Sequence, residues 1–158
     1  MRIWPPPGSS GLRGMVSDIR LDMSLNPSFM ACTVLFDNAF DAEFKAWVEG
    51  LRDELLAHAK LLAEFGPDLG RPSVDTLKGS RHANMKELRF SWSGQVWRVA
   101  FAFDPQRHAI LLVGGDKGGA DQRRFYKRLI TLADERYANH LGILNRSSKE
   151  FKHGKKTR

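Results

Sequence analysis

The chain has 158 residues, of which 42% are hydrophobic and 27% are charged, an ordinary composition for one globular domain with its own core. No apolar run approaches the roughly 20 residues that a membrane-spanning helix needs, so we expect no membrane partner. A single cysteine, Cys32, excludes a disulfide within this sequence and favours a reducing, cytoplasmic compartment. No cysteine–histidine cluster has the spacing of metal ligands, so we expect neither a metal nor a cofactor.

The net charge of +7 is distributed unevenly along the chain. Residues 1–73 carry a balance of −3 between basic and acidic side chains, whereas residues 74–158 carry +10. A basic domain commonly binds an anionic partner, most often nucleic acid, although many solvated surfaces are basic as well.

The two ends of the chain differ in composition from the middle. A stretch rich in proline, glycine and serine follows Trp4 and has no periodicity, so we predict that residues 1–29 form a flexible extension. Residues 30–143 then form the folded domain. Residues 144–158 are rich in arginine and lysine, and we predict a basic flexible tail.

The first half of the domain combines a strand with helices. Residues 31–36 are apolar and β-branched, which predicts a strand, and Asp37 or Asn38 then caps a helix. The following pattern predicts one amphipathic helix of about seven turns, or two helices broken near Gly50, ending at Gly66. Its apolar positions are Phe40, Phe44, Trp47, Leu51, Leu55, Leu62 and Phe65.

A β-hairpin is predicted from Lys86 to Phe103. Ser93 and Gly94 are turn residues between two alternating segments. If they form the loop, the apolar residues pair on one face and a one-residue slip would scramble both faces. The resulting partners are Phe90 with Trp97, Leu88 with Val99, and Arg89 with Arg98.

Arg89 and Arg98 therefore stand side by side on the face away from the apolar pairs. Like charges in directly opposite positions destabilise a sheet, so the pair predicts either a site for an anion or neutralisation by Glu87 and solvent.

The remaining elements alternate with short connections. A short strand at residues 74–78 leads into a polar loop at 79–84, and a type I turn at 104–107 leads into a strand at 108–113. A glycine-rich connection at 114–119 precedes a helix at 121–141. We predict an α+β fold in which a small antiparallel sheet packs against an N-terminal helical hairpin, with a C-terminal helix. The other face of the sheet would be open and would carry the two arginines.

Several short motifs, in this order and spacing, resemble the phage-derived Gp49-like, HigB-type branch of the RelE/ParE toxins. The resemblance covers residues 31–143. The motifs are Leu69-Gly70-Arg71-Pro72, Leu77-Lys78-Gly79-Ser80-Arg81-His82, Lys86-Glu87-Leu88-Arg89, the run Trp97 to Pro105, the run Leu112 to Lys117, and Arg124-Phe125-Tyr126.

This resemblance implies a RelE/ParE-like fold and the toxin half of a type II toxin–antitoxin module. Such toxins commonly cut messenger RNA, often on the ribosome, and their partner is a HigA-type helix-turn-helix antitoxin that alone contacts operator DNA. The alternatives are a ParE-like gyrase inhibitor and a noncatalytic phage-derived module that binds nucleic acid.

Metal-free RNA cleavage requires deprotonation of a 2′-OH, stabilisation of the charged phosphate and protonation of the leaving 5′-oxygen. Arg98 is the first candidate for the phosphate because it matches the family's basic position, and Arg89 is the second by cross-strand geometry. Lys117, among glycines, is either a phosphate ligand or a solvated loop lysine.

The acid and base are less constrained by the sequence. Tyr126 either stacks on a base, donates a proton or packs in the core. His82, Lys86 and Glu87 are candidate bases, and Glu87 is equally a salt-bridge partner of Arg89. We expect further RNA contacts from Arg81, Arg123, Arg124 and Lys127.

Overall fold

The computed structural model describes residues 2–3, 32–119 and 121–154, of which residues 32–119 and 121–152 have described side chains. Within this part of the chain lie six strands and three α-helices, and none of these helices is long and apolar enough to cross a membrane. The strands are β1 Arg2–Ile3, β2 Thr33–Phe36, β3 Val74–Thr76, β4 Met85–Trp92, β5 Gln95–Phe103 and β6 His108–Asp116. The helices are α1 Asn38–Lys45, α2 Glu49–Phe65 and α3 Gln122–Gly154, with a 3-10 turn at Gly66–Asp68.

The strands form one sheet in the order β1-β2-β6-β5-β4-β3. Neighbours are antiparallel except β2, which is parallel to β6. Three short connections from β3 to β6 allow the predicted antiparallel pairing, whereas β2 reaches β6 only after the chain has passed through α1, α2 and three strands. The predicted α+β class is confirmed, and the parallel pair makes the sheet mixed.

The β4–β5 hairpin has the predicted register. Arg89 lies opposite Arg98, and Phe90 lies opposite Trp97. The backbone torsion φ is +51° at Ser93 and +76° at Gly94. Positive φ at both loop residues is the feature of a type I′ turn, whose twist matches that of the two strands.

One face of the sheet is covered by α1 and α2. The side chain of Asp37 accepts hydrogen bonds from the backbone N–H groups of Ala39 and Phe40, at 3.0 and 3.2 Å, which confirms the predicted cap. Phe40 and Phe44 pack on Phe36 with ring centroids 5.5 and 5.0 Å away. The helical stretch breaks at residues 46–48, so the alternative with two helices is the correct one.

The second face of the sheet is covered by α3, so the expectation of an open face was wrong. Small side chains in the sheet allow the helix to approach closely, and the apolar stripe of α3 fills the space above them. This second core contains Leu77, Met85, Ala100, Ala102, Ile110, Leu112 and Val113 from the sheet side, and Leu129, Ala133 and Tyr137 from α3. Arg89 and Arg98 lie on this face too, close to the N-terminal end of the helix.

The predicted connection at residues 114–119 is partly strand, because β6 continues to Asp116. A Cβ atom at Gly114 would lie 2.8 Å from the Trp47 ring, and one at Gly115 would lie 3.0 Å from the Phe125 ring. These two glycines therefore admit aromatic side chains on the two faces of the sheet.

The C-terminal prediction needs a larger correction, because α3 continues to Gly154 instead of ending near Leu141. Residues 143–153 contain neither glycine nor proline, and adding a residue to an existing helix is far easier than starting one. The predicted flexible tail is thus helical over residues 144–154. At the other end, Arg2–Ile3 pair with β2, while the rest of the predicted extension, residue 1 and residues 4–29, lies outside the described residues.

We expect Phe40→Ala to lower the free energy of unfolding by about 3–5 kcal/mol, because it leaves a cavity at a fully buried position. Urea denaturation followed by circular dichroism measures this change. Phe65→Ala is the matched control, since Phe65 is 43% exposed, and its loss should be clearly smaller. Equal losses in the two variants would contradict the assigned core.

Candidate functional site

A cluster of charged side chains surrounds Glu87 at the hairpin end of the second sheet face. Alternation along β4 places Glu87 and Arg89 on the face that α3 covers, and the β4–β5 register adds Arg98. Lys117, just after β6, and Tyr126, in α3, complete the group. We call these five residues the Glu87 cluster.

One carboxylate oxygen is the centre of the cluster. Oε1 of Glu87 lies 3.9 Å from Nε of Arg98 and 3.9 Å from Nε of Arg89. The Tyr126 hydroxyl donates a long hydrogen bond of 3.5 Å to the same oxygen. The Lys117 ammonium lies 5.4 Å from the centroid of the Tyr126 ring, within the range of a cation–π interaction.

The members of the cluster differ in their access to solvent. Glu87 and Arg98 are each only 6% exposed, whereas the Arg89 side chain is 32% exposed. Among the described residues, neither Oε2 of Glu87 nor Nε of Arg98 has a hydrogen-bond partner, although both atoms are buried. Such atoms are rare in folded proteins and are typical of sites that take a ligand or carry out chemistry.

Burial raises the pKa of the Glu87 carboxyl above its ordinary value. Arg98, the hydrogen bond from Tyr126, Arg89 and Lys117 all act in the opposite direction, but the cost of burying the charge is larger. A buried carboxyl group with a raised pKa, close to cations, is suited to act as a general base.

Asp75 belongs to the surroundings of the cluster and was not singled out by the sequence. It pairs with Glu87 across β3 and β4, and its Oδ2 lies 3.5 Å from Nη1 of Arg89 and 2.9 Å from Arg71. The hydrogen bond from Arg71 is the main reason that the pKa of Asp75 is lowered. Asp75 therefore holds Arg89 beside Glu87. The predicted strand at residues 74–78 contained this aspartate, but its register against β4 was not predicted.

Three sequence candidates lie outside the cluster. The His82 ring packs edge-on against Tyr137 with a centroid distance of 4.9 Å, and Tyr137 is about 16 Å further along α3 than Tyr126. Lys86 alternates with Glu87 and so lies on the opposite face of the sheet. Arg81 is exposed on a loop, and its backbone N–H donates to Oδ2 of Asp134 at 3.2 Å.

The remaining candidates lie around the start of α3. The backbone of Lys117 donates to Val96 at 2.6 Å, which fixes the lysine beside β5. The ring of Tyr126 packs on Phe125, as a core residue would, while its hydroxyl points to Glu87, as a proton donor would. The other three candidates are exposed on the first two turns of the helix: Arg123, Arg124 and Lys127.

Cys32 contributes to the packing of the first core. Its Sγ donates to the Leu62 carbonyl at 3.3 Å, and the side chain packs against the first core. Burial raises the pKa of the thiol to about 12, so a nucleophilic thiolate does not form at neutral pH.

Comparison with known families finds one model that matches most of the domain. The family described as "Phage derived protein Gp49-like (DUF891)" matches residues 42–138, a range that includes all five residues of the Glu87 cluster.

Two relatives come from Mycobacterium tuberculosis, and both have names that describe candidate toxins. The chain is 48% identical to HigB2 over 101 residues, 61% of this chain and 50% of HigB2. It is 52% identical to HigB3 over 81 residues, 51% of this chain and 68% of HigB3. The chain thus spans about half the length of HigB2. Among solved structures, a free R81A/R83A mutant of Escherichia coli toxin RelE is similar, with a TM-score of 0.48, 14% identity, and coverage of 65% of this chain and 96% of RelE.

The raised pKa of Glu87 predicts how stability depends on pH. The stability contributed by a raised pKa is fully present below the pKa of the unfolded carboxyl, and it is lost as pH rises through the higher folded value. Glutamine does not titrate. The free energy of unfolding of the wild type minus that of Glu87→Gln should therefore fall as pH rises above about 4, the ordinary pKa of a glutamate. Urea denaturation at several pH values measures this difference. Glu135→Gln, at an exposed position of α3, is the control, and a difference independent of pH would refute the assignment.

Proposed function

This chain belongs to the Phage derived protein Gp49-like (DUF891) family, and we propose that it is the toxin of a type II toxin–antitoxin module, acting as a metal-free endonuclease on messenger RNA. The Glu87 cluster carries the nuclease part of the proposal. It combines a buried carboxyl of raised pKa with two guanidinium groups and a lysine, and it adjoins the basic start of α3. The names of the HigB relatives support the toxin part.

Glu87 is proposed as the general base. Its carboxylate would take the proton of a ribose 2′-OH, and the 2′-oxygen would then attack the adjacent phosphorus. The bond from phosphorus to the 5′-oxygen breaks, leaving a 2′,3′-cyclic phosphate and a 5′-hydroxyl end. The raised pKa makes Glu87 a stronger base than an ordinary carboxylate, and the buried Oε2 has no competing hydrogen bond from the described residues.

Arg89 and Lys117 are proposed to bind the phosphate. Arg89 is one-third exposed, and Lys117 is half-buried over the Tyr126 ring. Arg98 is nearly inaccessible, and its Nη1 donates to the Trp97 carbonyl at 2.9 Å. Its burial supports a role in holding Glu87, so the phosphate-binding role first assigned to Arg98 passes to Arg89.

Tyr126 is proposed to donate the proton to the leaving 5′-oxygen. It is the neutral donor that directly contacts Glu87, so the acid and the base would share one hydrogen bond. His82 packs against Tyr137 and Lys86 lies on the opposite face of the sheet, so the proposal makes neither of them the general base or the general acid. The exposed Arg123, Arg124 and Lys127 would extend the RNA path over the start of α3. Arg81 would extend it further, from the loop that contacts Asp134 of the same helix.

The proposed module includes a HigA-type helix-turn-helix antitoxin as the partner of this chain. Contact with operator DNA would then occur only through that antitoxin, and the messenger RNA would be cut on the ribosome. The family resemblance and the names of the relatives support the choice of these partners.

The decisive experiment compares wild type, Glu87→Gln and Arg89→Ala after induced expression, with transcript 5′ ends mapped across translated messages. We expect growth arrest and new cuts in the wild type. Loss of the base should lower cleavage by about a hundredfold or more, and loss of the phosphate ligand by a similar factor. Lys45→Ala is the matched control because Lys45 is exposed and lies on α1, on the other face of the sheet. Arg98→Ala is less suitable, since it would leave a buried carboxylate without its partner.

Arrest with intact transcripts would reject the nuclease and direct attention to DNA supercoiling, the activity that a gyrase inhibitor would alter. RNA binding without arrest or cleavage would instead identify a noncatalytic module. In that case Arg89→Ala would change only the affinity and its dependence on salt.

A further inference from the structure

A cleft lies far from the Glu87 cluster, between the β5–β6 turn and the C-terminal part of α3. Its volume is about 370 Å³, within the size range of small-ligand sites. It is lined by Gln106, Leu144, Ser147, Ser148, Phe151 and Lys152. We call it the turn cleft.

The turn cleft exists because α3 is longer than the sheet it covers. The stripe that packs Leu129, Ala133 and Tyr137 onto the sheet continues, at helical spacing, through Leu144 and Phe151. Beyond Tyr137 the sheet gives way to the β5–β6 turn. The helix therefore passes over the turn and leaves a space between them.

Both walls of the turn cleft are fixed to each other by buried polar contacts. His140 lies 2.9 Å from Oδ2 of Asp104, and both side chains are buried. The other carboxylate oxygen of Asp104 accepts hydrogen bonds from the backbone of Gln106 and His108. The Tyr137 hydroxyl donates to the Phe103 carbonyl at 3.1 Å. These contacts hold the β5–β6 turn against α3 at the edge of the cleft, and a wall that is already held in place reduces the ordering cost of binding.

The lining combines the groups that proteins use to hold a single-stranded nucleotide. Phe151 offers an aromatic ring and is 68% exposed. Gln106, Ser147 and Ser148 supply an amide and two hydroxyl groups that can bond to a base edge, and Lys152 supplies a cation for a phosphate. Stacking on an aromatic ring beside a cation is the usual way to bind single strands without sequence preference.

The surrounding charge favours a polyanion over a protein partner. Arg146 and Lys149 are exposed on the same part of α3, and Arg107 is exposed on the facing turn. Glu150 is the one acidic residue between Arg146 and Lys152.

We propose that the turn cleft binds one nucleotide of single-stranded RNA, with its base stacked on Phe151 and its phosphate beside Lys152. The inference rests on the proposed function for its choice of RNA, but it concerns a separate surface. Tyr126 and Ser148 are about 33 Å apart along α3, so an RNA held at the turn cleft is anchored away from the point of cleavage.

The test measures the affinity of the purified chain for a fluorescent 2′-O-methyl oligoadenylate by anisotropy. This probe has no free 2′-OH and cannot be cut by the proposed reaction. Phe151→Ala should weaken binding about tenfold, the size of one lost base–aromatic stack, and Phe151→Tyr should restore it. Ile143→Ala is the matched control, since Ile143 is 50% exposed on the same helix and lies outside the cleft lining. Circular dichroism checks that α3 is intact in each variant.

Unchanged affinity in Phe151→Ala, an equal loss in Ile143→Ala, or no binding by the wild type would each overturn the inference. So would sedimentation showing that Phe151→Ala only breaks a dimer, because a second copy of the chain would then occupy the cleft. The transcript assay separates the two proposals. Cleavage that depends on Glu87, with no effect of Phe151→Ala on the probe, would retain the nuclease and reject the cleft. Loss of probe binding without any cleavage would do the reverse.

Discussion

The alternation of side chains across the β4–β5 hairpin is the constraint on which the rest of the structure depends. Ser93 and Gly94 adopt positive φ and fix the register. That register sends Phe90 to the face of α1 and α2, and sends Arg89 and Arg98 to the face of α3. Because the period is two, a one-residue slip would place charge in the first core and remove it from the Glu87 cluster.

Helix α3 converts this charged sheet face into a partly buried site. Arg136 holds the helix in place by donating to the Leu112 carbonyl at 2.8 Å and by pairing with Glu43 of α1. The first turns of α3 then lie beside Glu87, and Tyr126 reaches its carboxylate. The same helix continues over the β5–β6 turn and forms one wall of the turn cleft. Helix α3 therefore carries side chains of both candidate sites, and its length sets the distance between them.

The sequence predicted what local rules determine. The register of the hairpin, the Asp37 cap and the fold class depend on turn chemistry, capping and periodicity over a few residues, and the structure has all three. The position of His82 depends on which part of α3 crosses the loop at residues 79–84, and that is a tertiary property. The same reason explains why the second sheet face was expected to be open. The amphipathic pattern of α3 showed that the helix has an apolar side without showing where that side packs. The helical residues 144–154 were missed because their basic composition is also typical of flexible tails.

The composition of the Glu87 cluster follows from the charge changes that the proposed reaction requires. Three cations surround one carboxyl, and they oppose the increase in pKa that burial causes. Without them, burial would raise the pKa of this carboxyl further and favour its protonated form more strongly. When Glu87 accepts the proton of the 2′-OH, it loses its negative charge, so the cluster becomes more positive by one unit. In the same step the phosphate group becomes more negative by one unit. The stabilising field of Arg89 and Lys117 is thus strengthened at the moment when negative charge develops, without any movement of the cations.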